Sequence, residues 1–123
     1  MESVNILDKI LNCVIDAESG RYKYIQILVK EKSNTDNNKV VVRGSAKFEY
    51  HKENFDYFVE TEMSDKLSCK SIGGGRINVD HKNTNIFVYG YSKSYGRCNH
   101  ELTCQIINET YPDYKTEWSN EGY

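Results

Sequence analysis

The residues best suited to chemistry cluster between Ser71 and Gly96. The stretch opens with Gly73-Gly74-Gly75-Arg76 and closes with Tyr91-Ser92-Lys93-Ser94-Tyr95-Gly96. Glycine lets a backbone approach a ligand closely, and successive N–H groups with hydroxyls and a lysine can hold an oxyanion. The second end lies between a strand and a helix start and reads as a phosphate cradle, Ser92, Lys93 and Ser94 being its polar members. A serine-rich connection accounts for it equally well, and a strand bend or close backbone crossing accounts for the glycine run. No G-x-x-x-x-G-K-[ST] pattern is present. The triple glycine runs into a strand instead of a helix, which excludes a dinucleotide fingerprint.

Three histidines are the candidate acid–base groups. His51 falls in the first turn of an amphipathic segment. Unpaired N–H groups there disfavour imidazolium, leaving the neutral ring that accepts a proton or attacks phosphorus. Spacing alone favours a structural or capping role for it. His100, near the start of a second helix, packs or donates a hydrogen bond to the cradle just before it. His81 reads as a solvated turn residue. Cys98 beside Arg97 superficially resembles a cysteine phosphatase site, but the glycine-bearing loop precedes the cysteine instead of following it. Cys13, Cys69, Cys98 and Cys104 show no C-x-x-C pairing of the kind zinc sites use and read as buried reduced thiols. Acidic residues form no cluster with metal-site spacing, which disfavours a metal-dependent hydrolase.

The elements that must position these groups are short. Asn12–Asp16 is a strand candidate, Ala17–Gly20 a turn and Tyr22–Lys30 a strand, the two strands forming a hairpin; Lys23 lies at the start of the second. Glu31–Asn38 reads as a polar surface loop, and Lys39–Arg43 as a strand stopped by Gly44. Phe55, Phe58, Val59 and Met63 recur at helical spacing and predict a helix from about Tyr50 to Lys66. Leu67–Ile72, Arg76–Val79 and Ile86–Tyr89 have strand composition, with Asp80–Asn85 as a turn. Asn99 caps a predicted helix reaching Tyr111, with Leu102, Ile106 and Ile107 inward and Pro112 as its stop. Tyr114–Trp118 is a last strand. The expected fold is a single α+β domain: a mixed sheet of about six strands flanked by two helices, over residues 12–123, after a helical turn or arm at residues 1–11.

A chain of 123 residues has room for one core, and a formal charge of −2 excludes the basic bias of a non-specific nucleic-acid binder. No apolar run approaches the ~20 residues of a membrane span, and the first ten residues lack a signal peptide's pattern. The expectation is a cytoplasmic protein that acts on no membrane and is a monomer.

Several of these pieces together resemble the protein phosphohistidine phosphatases of the Janus/Ocnus family. They are Tyr22-Lys23-Tyr24, Val42-Arg43-Gly44 with Glu49-Tyr50-His51, Gly-Gly-Gly-Arg-Ile, Val-Tyr-Gly-Tyr-Ser-x-x-Tyr-Gly, and the tail Tyr111-Pro112-Asp113-Tyr114…Trp118…Asn120-Glu121-Gly122-Tyr123. The resemblance runs from about Cys13 onward. It implies an enzyme that needs no metal or cofactor and hydrolyses the P–N bond of phosphohistidine in proteins, with phospholysine-bearing proteins as a further substrate class. It assigns His51 the essential role, as general base or nucleophile. It makes Lys23 a phosphate-holding residue and Ser92-Lys93-Ser94 the phosphate loop, with Arg76, Arg43 and His100 around the site. Ser94 departs from the alanine common at that position. The rival from another class is a family member that only binds phosphoproteins.

Overall fold

The computed structural model describes residues 5–16 and 18–121. In chain order the strands are β1 (Cys13–Val14), β2 (Gly20–Glu31), β3 (Asn34–Ser45), β4 (Leu67–Asp80), β5 (Asn85–Tyr89) and β6 (Lys115–Trp118). The helices are α1 (His51–Glu62) and α2 (His100–Thr110), and a 3-10 turn covers Ile6–Lys9. One six-stranded sheet runs in the order β1-β3-β2-β4-β5-β6. Its two outer pairs are parallel and the inner ones antiparallel. The expected class, a mixed sheet flanked by two helices, is the observed one.

Alternation along β2 divides the molecule into two half-cores. Tyr22 and Tyr24 join Ile77, Val79 and Val88 on the face that packs against Ile106 and Ile107 of α2. Ile25, Ile27 and Val29 join Val41 on the opposite face, which packs against Phe58 of α1. Leu7 and Ile10 at the 3-10 turn are buried in this second cluster. Lys23 therefore lies on the α1 side of the sheet, with the α1 N-terminus close by.

Four local expectations change. β1 and β2 do not form a hairpin: β1 pairs with β3 in parallel, Cys13 with Val42 and Val14 with Arg43. Glu31–Asn38 is not a loop, because the chain turns at Lys32-Ser33 and β3 already begins at Asn34. That part of β3 is exposed and pairs with β2 around a bulge, Glu31 with Asn34 and Lys30 with Asn38, so it carries no apolar alternation for a sequence reading to detect. α1 ends at Glu62, four residues early, and Val59 is 42% exposed while Asn54 takes an inward position. Finally, the glycine run does not separate two strands. β4 passes straight through it, with a register shift against β2 between Gln26 and Ile27.

Candidate active site

His51 is the first residue of α1. Glu53 closes the helix start by accepting the Tyr50 N–H at 3.1 Å. The His51 ring is buried and points its Nε2 at the Gly75 carbonyl, 3.0 Å away. A carbonyl can only accept, so Nε2 carries the hydrogen and Nδ1 the lone pair. Burial holds the pKa below the usual 6.5; the Gly75 bond opposes this, while the charges of Lys23 and Arg76 act with burial. At neutral pH the ring is an uncharged imidazole.

The glycines explain how that ring comes so close to a strand. A Cβ at Gly74 would lie 2.5 Å from the Tyr24 carbonyl oxygen and 2.8 Å from His51 Cδ2. A Cβ at Gly75, on the other face, would run into the Tyr89 carbonyl and lie 2.7 Å from His100 Cε1. The run is thus a double seat, one imidazole resting on each side of β4.

Cross-strand pairing sets the cations. Lys23 stands opposite Arg76 and Arg76 opposite Tyr89, so the three form a row on the α1 face. Lys23 Nζ lies 5.3 Å from the centroid of the Tyr50 ring. Beside them is the Ser92–Gly96 loop, bounded by Gly90 and Gly96 at φ 77° and 83°. Such angles cost a residue with a Cβ, which accounts for glycine at both ends. Ser92 and Gly96 exchange N–H···O bonds of 3.1 and 2.8 Å, and the Gly74 N–H donates to the Gly96 carbonyl at 3.0 Å. The loop is thereby tied to the strand on which His51 rests.

Lys23, Tyr50, His51, Lys93 and Ser94 line one cleft of about 110 Å³. Four of the residues singled out from the sequence therefore meet, and Arg76 adjoins them through Lys23. The others lie elsewhere. Ser92 is buried beneath the loop, its hydroxyl accepting the Tyr95 N–H at 3.1 Å. Arg43 is also buried and is paired with the Glu62 carboxylate through Nε at 2.9 Å and Nη2 at 2.8 Å, while Nη1 donates to the Val42 carbonyl. Asn54 donates to the Arg43 carbonyl at 3.1 Å, so β3 grips α1 at two places.

His100 sits on the far face of β4. Its Nε2–H donates to the Gly90 carbonyl at 2.8 Å, at the base of the loop, and its Nδ1 accepts from the Tyr24 hydroxyl. Thr103 donates to that hydroxyl at 3.2 Å and Gln26 donates to Thr103 at 2.6 Å. Burial lowers the His100 pKa, the Gly90 bond opposing it and Arg97 adding to it. His81 is not a solvated turn residue: it is half-buried, with Nε2 3.0 Å from the Asp16 carbonyl and Nδ1 2.7 Å from the Tyr114 hydroxyl. Cys98 is buried and burial raises its pKa, which keeps it a thiol.

Sequence reasoning missed Tyr50, Glu62 and the Tyr24–Thr103–Gln26 chain. Tyr50 is adjacent to His51 and could have been named with it. Nothing local signals the others, whose partners lie far along the chain.

Arranged this way, the cleft can hold an oxyanion between two or three cations and present a neutral imidazole to it. A larger cavity of about 530 Å³, lined by Lys9, Glu62 and Lys66 among others, brings no histidine or thiol together with these charges.

A family model described as the Janus/Ocnus family matches residues 7–115. The 14 kDa phosphohistidine phosphatase of Sus scrofa is 38% identical over 115 residues, covering 89% of this chain and 90% of that protein. The Homo sapiens protein of the same name is 34% identical over 114 residues, covering 89% and 91%. The sex-regulated protein janus-A of Drosophila melanogaster is 36% identical over 104 residues, covering 85% and 76%.

Proposed function

The chain belongs to the Janus/Ocnus family, and from that premise we propose that it is a phosphohistidine phosphatase. The observation that carries the reading is the cleft itself, where a neutral His51 with its Nδ1 lone pair shares about 110 Å³ with Lys23, Lys93 and Ser94. A phosphoryl group carries its charge on three oxygens, and cations with hydrogen-bond donors around it suit a transition state in which that charge redistributes. Lys23 and Arg76 take two oxygens, and the loop tip with Lys93 and Ser94 takes the third. Ser92 shapes the tip by holding the Tyr95 N–H.

His51 then works in one of two ways. As general base it takes a proton from water while the water oxygen bonds phosphorus. As nucleophile its Nδ1 bonds phosphorus, and water later releases orthophosphate. In both, the P–N electron pair leaves with the substrate imidazole, which takes up a proton. The steps use the chain's own groups and no metal. The substrate is a phosphohistidine-bearing protein, with phospholysine as a second phosphoramidate, and the protein acts as a cytoplasmic monomer.

Relatives named janus-A carry no activity in their name, so the same cleft also fits a phosphoprotein-binding module. Orthophosphate release from a phosphohistidine peptide, beside phospholysine and phosphotyrosine peptides, separates the readings. The phosphatase reading expects turnover of the phosphoramidates and little of the ester. Binding of the phosphohistidine peptide without release would replace the phosphatase by the binder.

A further inference from the structure

The α1 side of the sheet is only partly covered. Helix α1 packs over β2, β3 and β4. On β5 the side chains of Phe87 and Tyr89 lie on that same side, ring centroids 5.4 Å apart and stacked at 28°. Phe87 is 37% exposed. Pairing makes this shelf continuous with the cleft: Tyr89 stands next to Arg76, and Arg76 next to Lys23.

The charge on this face changes along the strands. Near the cleft it is basic, with Lys23 and Arg76, and Arg21 opposite Asn78 extends that row to the near side of the groove. Four residues beyond Arg76 along β4, about 13 Å at strand rise, Asp80 lies on the same face, and Glu117 stands opposite Phe87. Asn78, Asp80, Asn85, Phe87 and Glu117 bound a groove of about 240 Å³. One wall is aromatic, and the far end carries two carboxylates, Asp80, which also accepts from the Asn83 N–H and Nδ2 at 3.1 and 2.7 Å, and Glu117. Glu117 also meets Lys115 at 3.0 Å, but both side chains are more than half exposed, so an incoming cation competes with an ion pair held in water.

We infer that this groove is a substrate-specificity surface that takes a lysine or arginine side chain three to four residues from the phosphohistidine. The inference rests on the phosphatase reading of the cleft. An extended segment rises about 3.3 Å per residue, so a phosphoryl group at Lys23 and Arg76 brings a side chain at that separation to the groove. Its alkyl stem lies along Phe87, and its charge faces Asp80 and Glu117. The complementarity is bipolar: the basic row meets the phosphoryl group, and the carboxylates of Asp80 and Glu117 meet the basic side chain.

The test uses free phosphohistidine and four peptides carrying one phosphohistidine. Two place a lysine three or four residues away, on the N-terminal side in one and the C-terminal side in the other. The remaining two place alanine or glutamate there. The expected result is a kcat/KM about fivefold higher for one lysine peptide than for the alanine peptide, the size of an exposed charge contact with an aromatic wall. Glu117→Lys removes that preference and favours the glutamate peptide, and Phe87→Ala reduces it. Both variants turn over free phosphohistidine at the wild-type rate. Hydrolysis of all the peptides with equal kcat/KM, or a lysine preference untouched by Glu117→Lys, overturns the groove and leaves the phosphatase reading standing. No hydrolysis of any substrate by the wild-type protein overturns the phosphatase reading, and the groove falls with it.

Discussion

A single hydrogen bond sets the chemistry of His51. With Nε2–H committed to the Gly75 carbonyl, only Nδ1 is left to accept a proton or bond phosphorus. Burial, with Lys23 and Arg76, holds the ring's pKa below 6.5. The neutral form is the active one in either route, so the acid limb of the pH–rate profile should fall at a pH below 6.5, not at it. An acid limb centred above 6.5 would show that the ring is held charged. The sequence carried the residue itself but not its tautomer, because the carbonyl that selects it is 24 residues away. It carried Lys23, Lys93 and Ser94 as well, through the resemblance more than through spacing. It could not say that Ser92 turns its hydroxyl beneath the loop, or that Arg43 sits at the far end of α1 from the cleft.

At the scale of elements, β4 and α1 do the positioning. Gly74 is small because His51 lies against it, so Gly74→Ala should push the ring away from Gly75. The expected cost is about 1–3 kcal/mol of stability, read from denaturant midpoints, with a drop in turnover larger than stability explains. Wild-type turnover in Gly74→Ala would mean the seat is unimportant. The other anchor is the Arg43–Glu62 pair, with side chains 6% and 29% exposed. Arg43→Ala leaves Glu62 partly buried without its partner and should cost about 3 kcal/mol, seen as a lower thermal midpoint, with weaker activity because the helix bearing His51 keeps only the Asn54 tie to β3. An unchanged midpoint would contradict that role. The glycine run was legible as a place of close approach; what approaches it was not. Two imidazoles on opposite faces of one strand come from residues 51 and 100, and no local pattern links them.

Over the whole molecule, net charge and local charge disagree. The chain is formally −2, yet Lys23, Arg76 and Lys93 gather at one end of the sheet, which net charge could never show. The class of fold followed from composition and periodicity, since strand-like and helix-like runs were distinct. Its topology did not. A two-residue strand such as β1 carries no information about its partner, and the first half of β3 is too polar to look like a strand. Two half-cores divide the work: the α2 side holds His100 and the base of the loop, and the α1 side carries the cleft. The central claim is that this cleft breaks the P–N bond through His51. The direct measurement is orthophosphate release from a phosphohistidine peptide by the wild-type protein and by His51→Ala, with a thermal melt of each. Expected are wild-type turnover, a loss of at least about a hundredfold in the variant, and a variant that still folds. A folded His51→Ala protein with wild-type turnover would contradict the claim.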